Sequence, residues 1–198
     1  MKQKTALLLI IVLAFTATVW SEVFLNRIEP SIQYEYLDPD SLYGAWSAVN
    51  VTYFREVNPY FNYHLGATAH YRNDAALLLY GGIFKTLSRK LFTNLAISGA
   101  TKCDYLQKYR FDADINLKIF RSEALIATLG YAYVNYHNVH EDIIWRYGLS
   151  VYITRFIFQF MIFDNTSKPG DIKSSMNLFS IGYGIEGWQW TYLTFNFG

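Results

Sequence analysis

The stretch of sequence that decides the fold is YLQKYRFDADINLKIF, residues 105–120. Successive side chains of a β-strand point to opposite faces, so its strict alternation predicts a strand with one apolar and one ionic face. The polar positions are Lys108, Arg110, Asp112, Asp114, Asn116 and Lys118, and the apolar ones are Tyr109, Phe111, Ala113, Ile115, Leu117 and Ile119. The alternation alone leaves open which face lies inside the molecule.

The same period extends along the chain and predicts an all-β protein. No long helical pattern follows residue 22, and no linker or composition break divides the chain, so residues 22–198 form one predicted domain. Turn signals separate about eleven strands, at residues 27–37, 44–55, 59–72, 75–86, 90–101, 106–120, 124–136, 142–154, 156–164, 174–184 and 187–197.

The first 21 residues have the form of a secretory signal. Lys2 and Lys4 precede an apolar run, and small and polar residues follow, which predicts cleavage after Ser21. The alternative is a retained N-terminal anchor. The exported chain has a single cysteine, Cys103, and therefore no internal disulfide.

The connections between predicted strands alternate in length. Short links are predicted at 56–59, 87–90, 120–123, 154–156 and 185–188, and longer links at 38–44, 100–105, 136–142 and 164–173. Up-and-down outer-membrane barrels have this asymmetry, with short periplasmic turns and longer outer loops. The short link at 71–75 departs from the pattern.

Composition favours lipid over water around the apolar face. Aromatic residues make up 19% of the chain, with 17 Tyr and 15 Phe, and the net charge of +1 argues against a nucleic-acid partner. The segments 75–84 and 155–163 are apolar on both faces, and no helices are available to cover them. The sequence therefore predicts an antiparallel, up-and-down transmembrane β-barrel of about 10–12 strands, with a soluble secreted β protein that binds a partner as an alternative.

This interpretation assigns side chains to the two faces. An Arg or Lys on the lipid face at mid-membrane costs about 2–4 kcal/mol, which determines the register. The predicted lumen-facing residues are His64, His70, Arg72, Lys108, Arg110, Asp112, Asp114, Lys118 and Arg146, and the charged ones are expected to form an ion-pair ladder. The predicted lipid-facing residues are Tyr63, Leu65, Phe111, Ile115, Leu117, Trp145, Tyr147 and Leu149.

The alternating stripe of residues 107–120, with LGYAYVNY (129–136) and YGLSVYITRF (147–156) after it, resembles the YaiO-type outer-membrane β-barrel family. The resemblance implies a barrel in the bacterial outer membrane, with lipid as its surroundings and surface polysaccharide as an associated partner. It also implies more strands than eleven, whereas this chain stops at TFNFG (194–198). Single-chain bacterial barrels have even strand counts, so we expect either a truncated reading frame or a strand split or missed.

Few residues suggest chemistry. His64 and His70 are six residues apart on one strand, about 20 Å, which is too far to share a metal ion. The segment HNVHED (137–142) has metal-ligating residue types, but a solvated loop is the favoured interpretation. Trp188, Trp190 and Tyr192 are expected to anchor the barrel at a membrane interface.

The functional prediction is a barrel without catalytic activity, cofactor or metal. Its lumen charges are expected to be structural, or else to line a pore or a sugar-binding track. An outer-membrane enzyme that modifies lipids is the alternative from a different class, although no Ser–His pair with an orienting carboxylate can be identified. The oligomeric state and the ligand stay open.

Overall fold

The computed structural model of the chain describes residues 26–35, 46–72, 74–120, 124–185 and 189–198. The predicted signal segment 1–21 and the link 38–44 lie outside the described residues. Eleven β-strands form one sheet: β1 Asn26–Glu35, β2 Trp46–Asn58, β3 Phe61–Tyr71, β4 Ala75–Thr86, β5 Leu91–Ala100, β6 Gln107–Lys118, β7 Leu125–Tyr136, β8 Glu141–Ile153, β9 Phe156–Lys168, β10 Ile172–Ile185 and β11 Gln189–Phe197.

Every strand of the sheet pairs with its neighbour in sequence. The order runs from β1 to β11 without a crossover, and each pair is antiparallel. Within the described residues β1 and β11 are the two edges and do not pair with each other, so the sheet is not closed. No helix in the described part of the chain is long and apolar enough to cross a membrane.

The predicted all-β, up-and-down architecture is confirmed, and the predicted strands match the observed ones to within four residues. The predicted long link at 164–173 is wrong. β9 continues to Lys168 and β10 begins at Ile172, which leaves a turn of three residues, 169–171. The polar residues DNTS of this segment pair with residues of the neighbouring strands, and pairing stops only at the turn 169–171, where Gly170 has a φ of +103° and Asp171 a φ of +50°.

The hairpin connections lie at two ends of the sheet. The Tyr60 end carries the connections 59–60, 87–90, 119–124 and 154–155, and the Cys103 end carries 72–74, 101–106, 137–140 and 169–171. The connections at the two ends differ less in length than the sequence predicts. Polar residues at the Cys103 end continue several strands, and this shortens the connections there.

Exposure on the two faces is inverted relative to a water-soluble sheet. Large apolar side chains are exposed, among them Leu65 at 57% and Ile97 at 65%. Polar side chains are buried instead, among them Thr52 at 6% and Asn116 at 5%. Soluble proteins bury their aliphatic residues and solvate their polar ones, so the apolar face of this sheet is its outer face.

The connection 101–106 folds back onto the polar face at the Cys103 end. Cys103 and Leu106 are buried against Ala76, and the Tyr105 hydroxyl donates a hydrogen bond of 2.6 Å to the Asp74 carbonyl oxygen. This small apolar cluster is packed where β4 and β5 end, so the connection covers part of that end of the sheet.

Candidate functional site

An ionic cluster occupies the middle of the polar face on β6 and β8. Arg110 bonds both carboxylate oxygens of Asp112, through Nε at 2.6 Å and Nη2 at 2.8 Å. Arg146 on β8 donates from Nη1 to Asp112 Oδ1 at 2.8 Å, and its Nη2 lies 2.9 Å from Asp114 Oδ1. Two cations and two anions therefore form one paired network, which we call the ionic cluster.

The ionic cluster spans β7 because that strand carries a glycine at the crossing. In the register, Asp114 of β6 lies opposite Gly130, and Gly130 lies opposite Arg146 of β8. A Cβ at Gly130 would lie 2.1 Å from Asp114 Oδ1 and 2.7 Å from Arg146 Nε. No side chain would fit at this position. Glycine at position 130 therefore allows charged groups of β6 and β8, which are separated by β7, to contact each other.

The predicted ion-pair ladder is smaller than the sequence suggests. Lys108 lies in a β-bulge between Gln107 and Tyr109 and is exposed at the Cys103 end. Lys118 Nζ lies 5.9 Å from the ring centre of Phe92, and Arg72 lies past the end of β3 with its guanidinium 5.9 Å from the Tyr105 ring. Four of the predicted charges, Arg110, Asp112, Asp114 and Arg146, come together, and these three do not join them.

A second, uncharged network lies on β2, β3 and β4. Asn50 Oδ1 accepts hydrogen bonds from Thr68 Oγ1 at 2.9 Å and from the Tyr80 hydroxyl at 2.6 Å. Asn50 Nδ2 donates to Thr52 Oγ1 at 3.1 Å, and Thr52 and Tyr80 also share a short hydroxyl contact. Tyr80 reaches β2 by crossing Gly66, where a Cβ would lie 2.2 Å from its ring. Both networks on the polar face thus use a glycine on an intervening strand.

The histidines are dispersed, as their spacing predicts. His64 lies over Gly82 between the rings of Phe54 and Tyr80, and His70 stacks on Trp46 with ring centres 5.5 Å apart. His137 and His140 hydrogen-bond to the backbone carbonyls of Ala100 and Lys168. None of these contacts, among the described residues, pairs a histidine with a serine hydroxyl.

The carboxylates of the HNVHED segment are engaged by neighbouring strands. Asp142 accepts hydrogen bonds from the Tyr136 hydroxyl at 3.0 Å and from Ser167 Oγ at 2.5 Å. Glu141 accepts one from Asn135 Nδ2 at 3.2 Å. The described residues contain no group of three metal-ligating side chains that would hold a metal ion.

The residues predicted to face lipid share the apolar face. Residues that are paired directly across neighbouring strands lie on the same face. By successive pairs through Gly81 and Ile97, Leu65 shares a face with Phe111. By pairing through Leu129, Ile115 shares a face with Tyr147. Leu117 and Leu149 share Ala127 in the same way, and Tyr63 and Trp145 lie on this face through Ile83 and Tyr131. The register therefore places these residues on one face of the sheet, and their contact with lipid stays a prediction.

For Tyr192, the outward position expected of a membrane-interface anchor is not observed. The Tyr192 ring lies over Gly182, on the polar face, because Tyr192 pairs with Gly182 rather than with an outward residue. Trp188 and the side chain of Trp190 lie outside what the structure describes.

Comparison with protein families gives a match that covers nearly the whole chain. The model of the YaiO membrane β-barrel domain matches residues 25–198. The chain belongs to the YaiO membrane β-barrel family. A search of curated proteins finds no match. The YaiO assignment agrees with the single up-and-down sheet and with its exposed apolar face.

Sequence reasoning missed the uncharged network of this YaiO chain. Asn50, Thr52, Thr68 and Tyr80 are ordinary polar or aromatic positions in the alternation, and none stands out alone. The signal that was available is Gly66 on the polar stripe of β3, since a glycine there leaves room for a ring from the next strand. The same signal at Gly130 marks the ionic cluster.

Proposed function

We propose that this chain forms a barrel in the bacterial outer membrane, with a polar interior through which hydrophilic solutes pass, and that it catalyses no reaction. The observation that carries the proposal is the inverted exposure of the two faces. In hydrocarbon, every backbone group must be paired within the protein, and apolar side chains must face outward. The antiparallel pairing satisfies the backbone groups of β2 to β10, and the exposed aliphatic face meets the second requirement. Enclosure of the outer edges of β1 and β11 is part of the proposal.

The outer membrane is the proposed location because it is where bacterial β-barrels reside. β2 to β10 have 10–14 residues each, and a tilted strand needs about 9–11 to cross. The predicted export signal at residues 1–21 agrees with this location, and lipid is then the immediate partner of the apolar face.

The proposed passage follows from the chemistry of the polar face. The ionic cluster pairs two cations with two anions, so it adds no net charge to the interior. Elsewhere the polar face offers amides and hydroxyls, including Asn50, Thr68 and Ser150. Such a lining suits neutral, hydroxyl-rich solutes better than ions, and surface polysaccharide is the solute class we propose.

The test begins with the purified full chain in detergent. A folded barrel migrates faster on a gel before boiling than after it, and a soluble protein extracted without detergent would overturn the membrane proposal. Channels are then measured in planar bilayers. Stepwise conductance supports the passage, and a folded, inserted but non-conducting protein overturns it.

The ionic cluster provides a matched pair of variants for this measurement. Arg146→Gln removes one interior cation and leaves Asp112 and Asp114 with Arg110 alone, so the cluster carries one excess negative charge and the reversal potential should shift toward cation selectivity. Lys85→Gln, on an exposed position of the outer face, should leave it unchanged. Equal behaviour of the two variants would contradict an interior passage at this cluster.

Changed acyl chains in lipid from cells that make the protein would instead support the enzymatic alternative.

A further inference from the structure

A polar cavity opens on the interior face between β1 and β4, near the Cys103 end. Its volume is about 290 Å³, and the polar side chains that line it are Ser31, Gln33, Asn50, Thr68, His70 and Tyr80. None of the lining residues is Asp, Glu, Lys or Arg. The cavity is distinct from the ionic cluster, which lies on β6 and β8.

The floor of the polar cavity is held rigid by Asn50. Its side-chain oxygen accepts two hydrogen bonds and its nitrogen donates two, to Ser31 Oγ at 3.2 Å and to Thr52 Oγ1. An amide can make about four hydrogen bonds, so Asn50 is saturated and its orientation is determined. The hydroxyls of Thr68 and Tyr80 are thereby fixed at the cavity wall before any ligand arrives.

His70 supplies a buried donor that lacks a partner. His70 is 8% exposed, and its Nδ1 accepts a hydrogen bond of 3.1 Å from Trp46 Nε1. An indole nitrogen only donates, so the proton of the neutral imidazole is on Nε2. Nε2 is buried and finds no acceptor among the described residues. A buried donor without a partner in a native structure needs an explanation, and an oxygen of a bound ligand or of water would supply one.

We infer that the polar cavity binds one unit of a neutral sugar, with His70 Nε2 donating to a ligand oxygen. Sugar hydroxyls both donate and accept, which matches the amides and hydroxyls of the lining, and the wall has no Lys or Arg to pair with the charge of an acidic group. The rings of Tyr80 and His70 add aromatic surface to the lining. The inference rests on the proposed passage, because the cavity opens on the interior face.

The test measures binding to the full chain in detergent micelles by saturation-transfer NMR and calorimetry. The probes are glucose and N-acetylglucosamine, with glucuronate as the charged counterpart. We expect saturable binding of a neutral probe and at least tenfold weaker binding of glucuronate. His70→Phe should weaken neutral-sugar binding at least tenfold, because the ring is kept and the donor is lost.

Two further variants keep the inference testable if His70→Phe disturbs folding. Leu78→Trp fills the cavity and should abolish binding, whereas His64→Phe, on the same strand and face but outside the cavity lining, should leave it unchanged. Heat-modifiable migration checks folding of each variant. The inference is overturned if the folded wild type binds no sugar, which is the result expected of a cavity that holds water only. It is also overturned if Leu78→Trp binds sugar as well as the wild type does. Binding without conductance would remove the proposed passage alone, and conductance without binding would remove the sugar site alone.

Discussion

At the scale of single residues, Arg146 has the largest structural role on the polar face. Its side chain is 12% exposed and contacts two carboxylates on a strand that is not its neighbour. Gly130, on the strand between them, makes this contact possible. Removing one member of a buried ionic network leaves the others desolvated and unpaired, which costs more than the network contributes as a whole.

We therefore expect Arg146→Gln to lower the free energy of unfolding by about 2–4 kcal/mol. This cost is somewhat smaller than that of breaking a fully buried ion pair, because Asp112 and Asp114 are 18% and 23% exposed. The matched control is Arg27→Gln, which removes an exposed ion pair with Glu29 and should cost about 0–1 kcal/mol. Urea unfolding in lipid vesicles, followed by tryptophan fluorescence, measures both. Equal losses would contradict the role assigned to burial.

At the scale of elements, the connection 101–106 depends on Tyr105. Burial raises the pKa of the Tyr105 hydroxyl above its ordinary value of 10.0, and electrostatic interaction with Cys103 and Asp74 raises it further, against an opposing effect of Arg72. A pKa that is higher in the folded state means that the neutral hydroxyl stabilises the closed connection. This stabilisation is complete below pH 10 and is lost as the pH rises through the folded-state pKa.

The alkylation rate of the sole cysteine measures opening of the connection 101–106. Cys103 belongs to this connection and is buried against Ala76, so we expect slow alkylation by iodoacetamide in the folded protein. The alkylation rate should rise in a step above pH 10, as Tyr105 ionises and the connection opens. Tyr105→Phe keeps the ring and lacks the ionisable group, so its alkylation rate should show no such step. The same step in both proteins would show that another group opens the connection.

The strands make a second prediction at this scale, because their apolar side chains face outward. Ile115 of β6 lies in register, through Leu129, with Tyr147 at the middle of β8 and is 52% exposed, and Ile153 ends β8 and is 54% exposed. In a bilayer, Ile115→Arg should cost about 2–4 kcal/mol and Ile153→Arg about 0–1 kcal/mol, because the cost depends on depth. Unfolding titrations in vesicles compare them. If both cost less than about 0.5 kcal/mol, as at exposed positions of soluble proteins, the apolar face meets water.

At the scale of the whole molecule, the up-and-down topology separates the connections into two ends. Arg89, Lys90 and Arg155 lie in connections at the Tyr60 end, and Lys102 lies in a connection at the Cys103 end. Inserted protein should expose one end to each side of a bilayer. The topology also makes β1 and β11 run in the same direction, so direct pairing of these edges would be parallel.

Trypsin added outside vesicles with uniformly oriented protein should therefore cut at only one of these two sets of sites. Mass spectrometry of the fragments identifies the set, and detergent-solubilised protein provides the control in which both sets are cut. Cleavage at Arg89 and Lys102 together in intact vesicles would contradict a transmembrane orientation.

Much of the fold could be predicted because it depends on local information. β4 was predicted at its observed bounds, 75–86, since alternation and flanking turn signals both lie in that segment. The extension of β9 to Lys168 could not be predicted in this way. Its polar residues resemble a loop in sequence, and their strand conformation depends on Asp142 and Ser174 on the adjoining strands.

The candidate sites were less predictable than the faces on which they lie. Alternation places Arg110, Asp112 and Asp114 on one face, but their distance from Arg146 depends on how far β6 and β8 are shifted relative to each other. His70 was predicted to face the interior, yet its bond to Trp46 and its unpaired Nε2 required the pairing of β2 with β3. A shift of two residues would keep every face and break each of these contacts.

The sequence by itself determined the strands, their up-and-down order and the division of side chains between an apolar and a polar face, because a period of two and the turn residues act over a few positions. Tertiary structure decided which polar groups meet. Hydrogen-bond register between strands places Gly130 under the Asp114–Arg146 contact and Gly66 under Tyr80, and a single strand carries no information about the register of its neighbours.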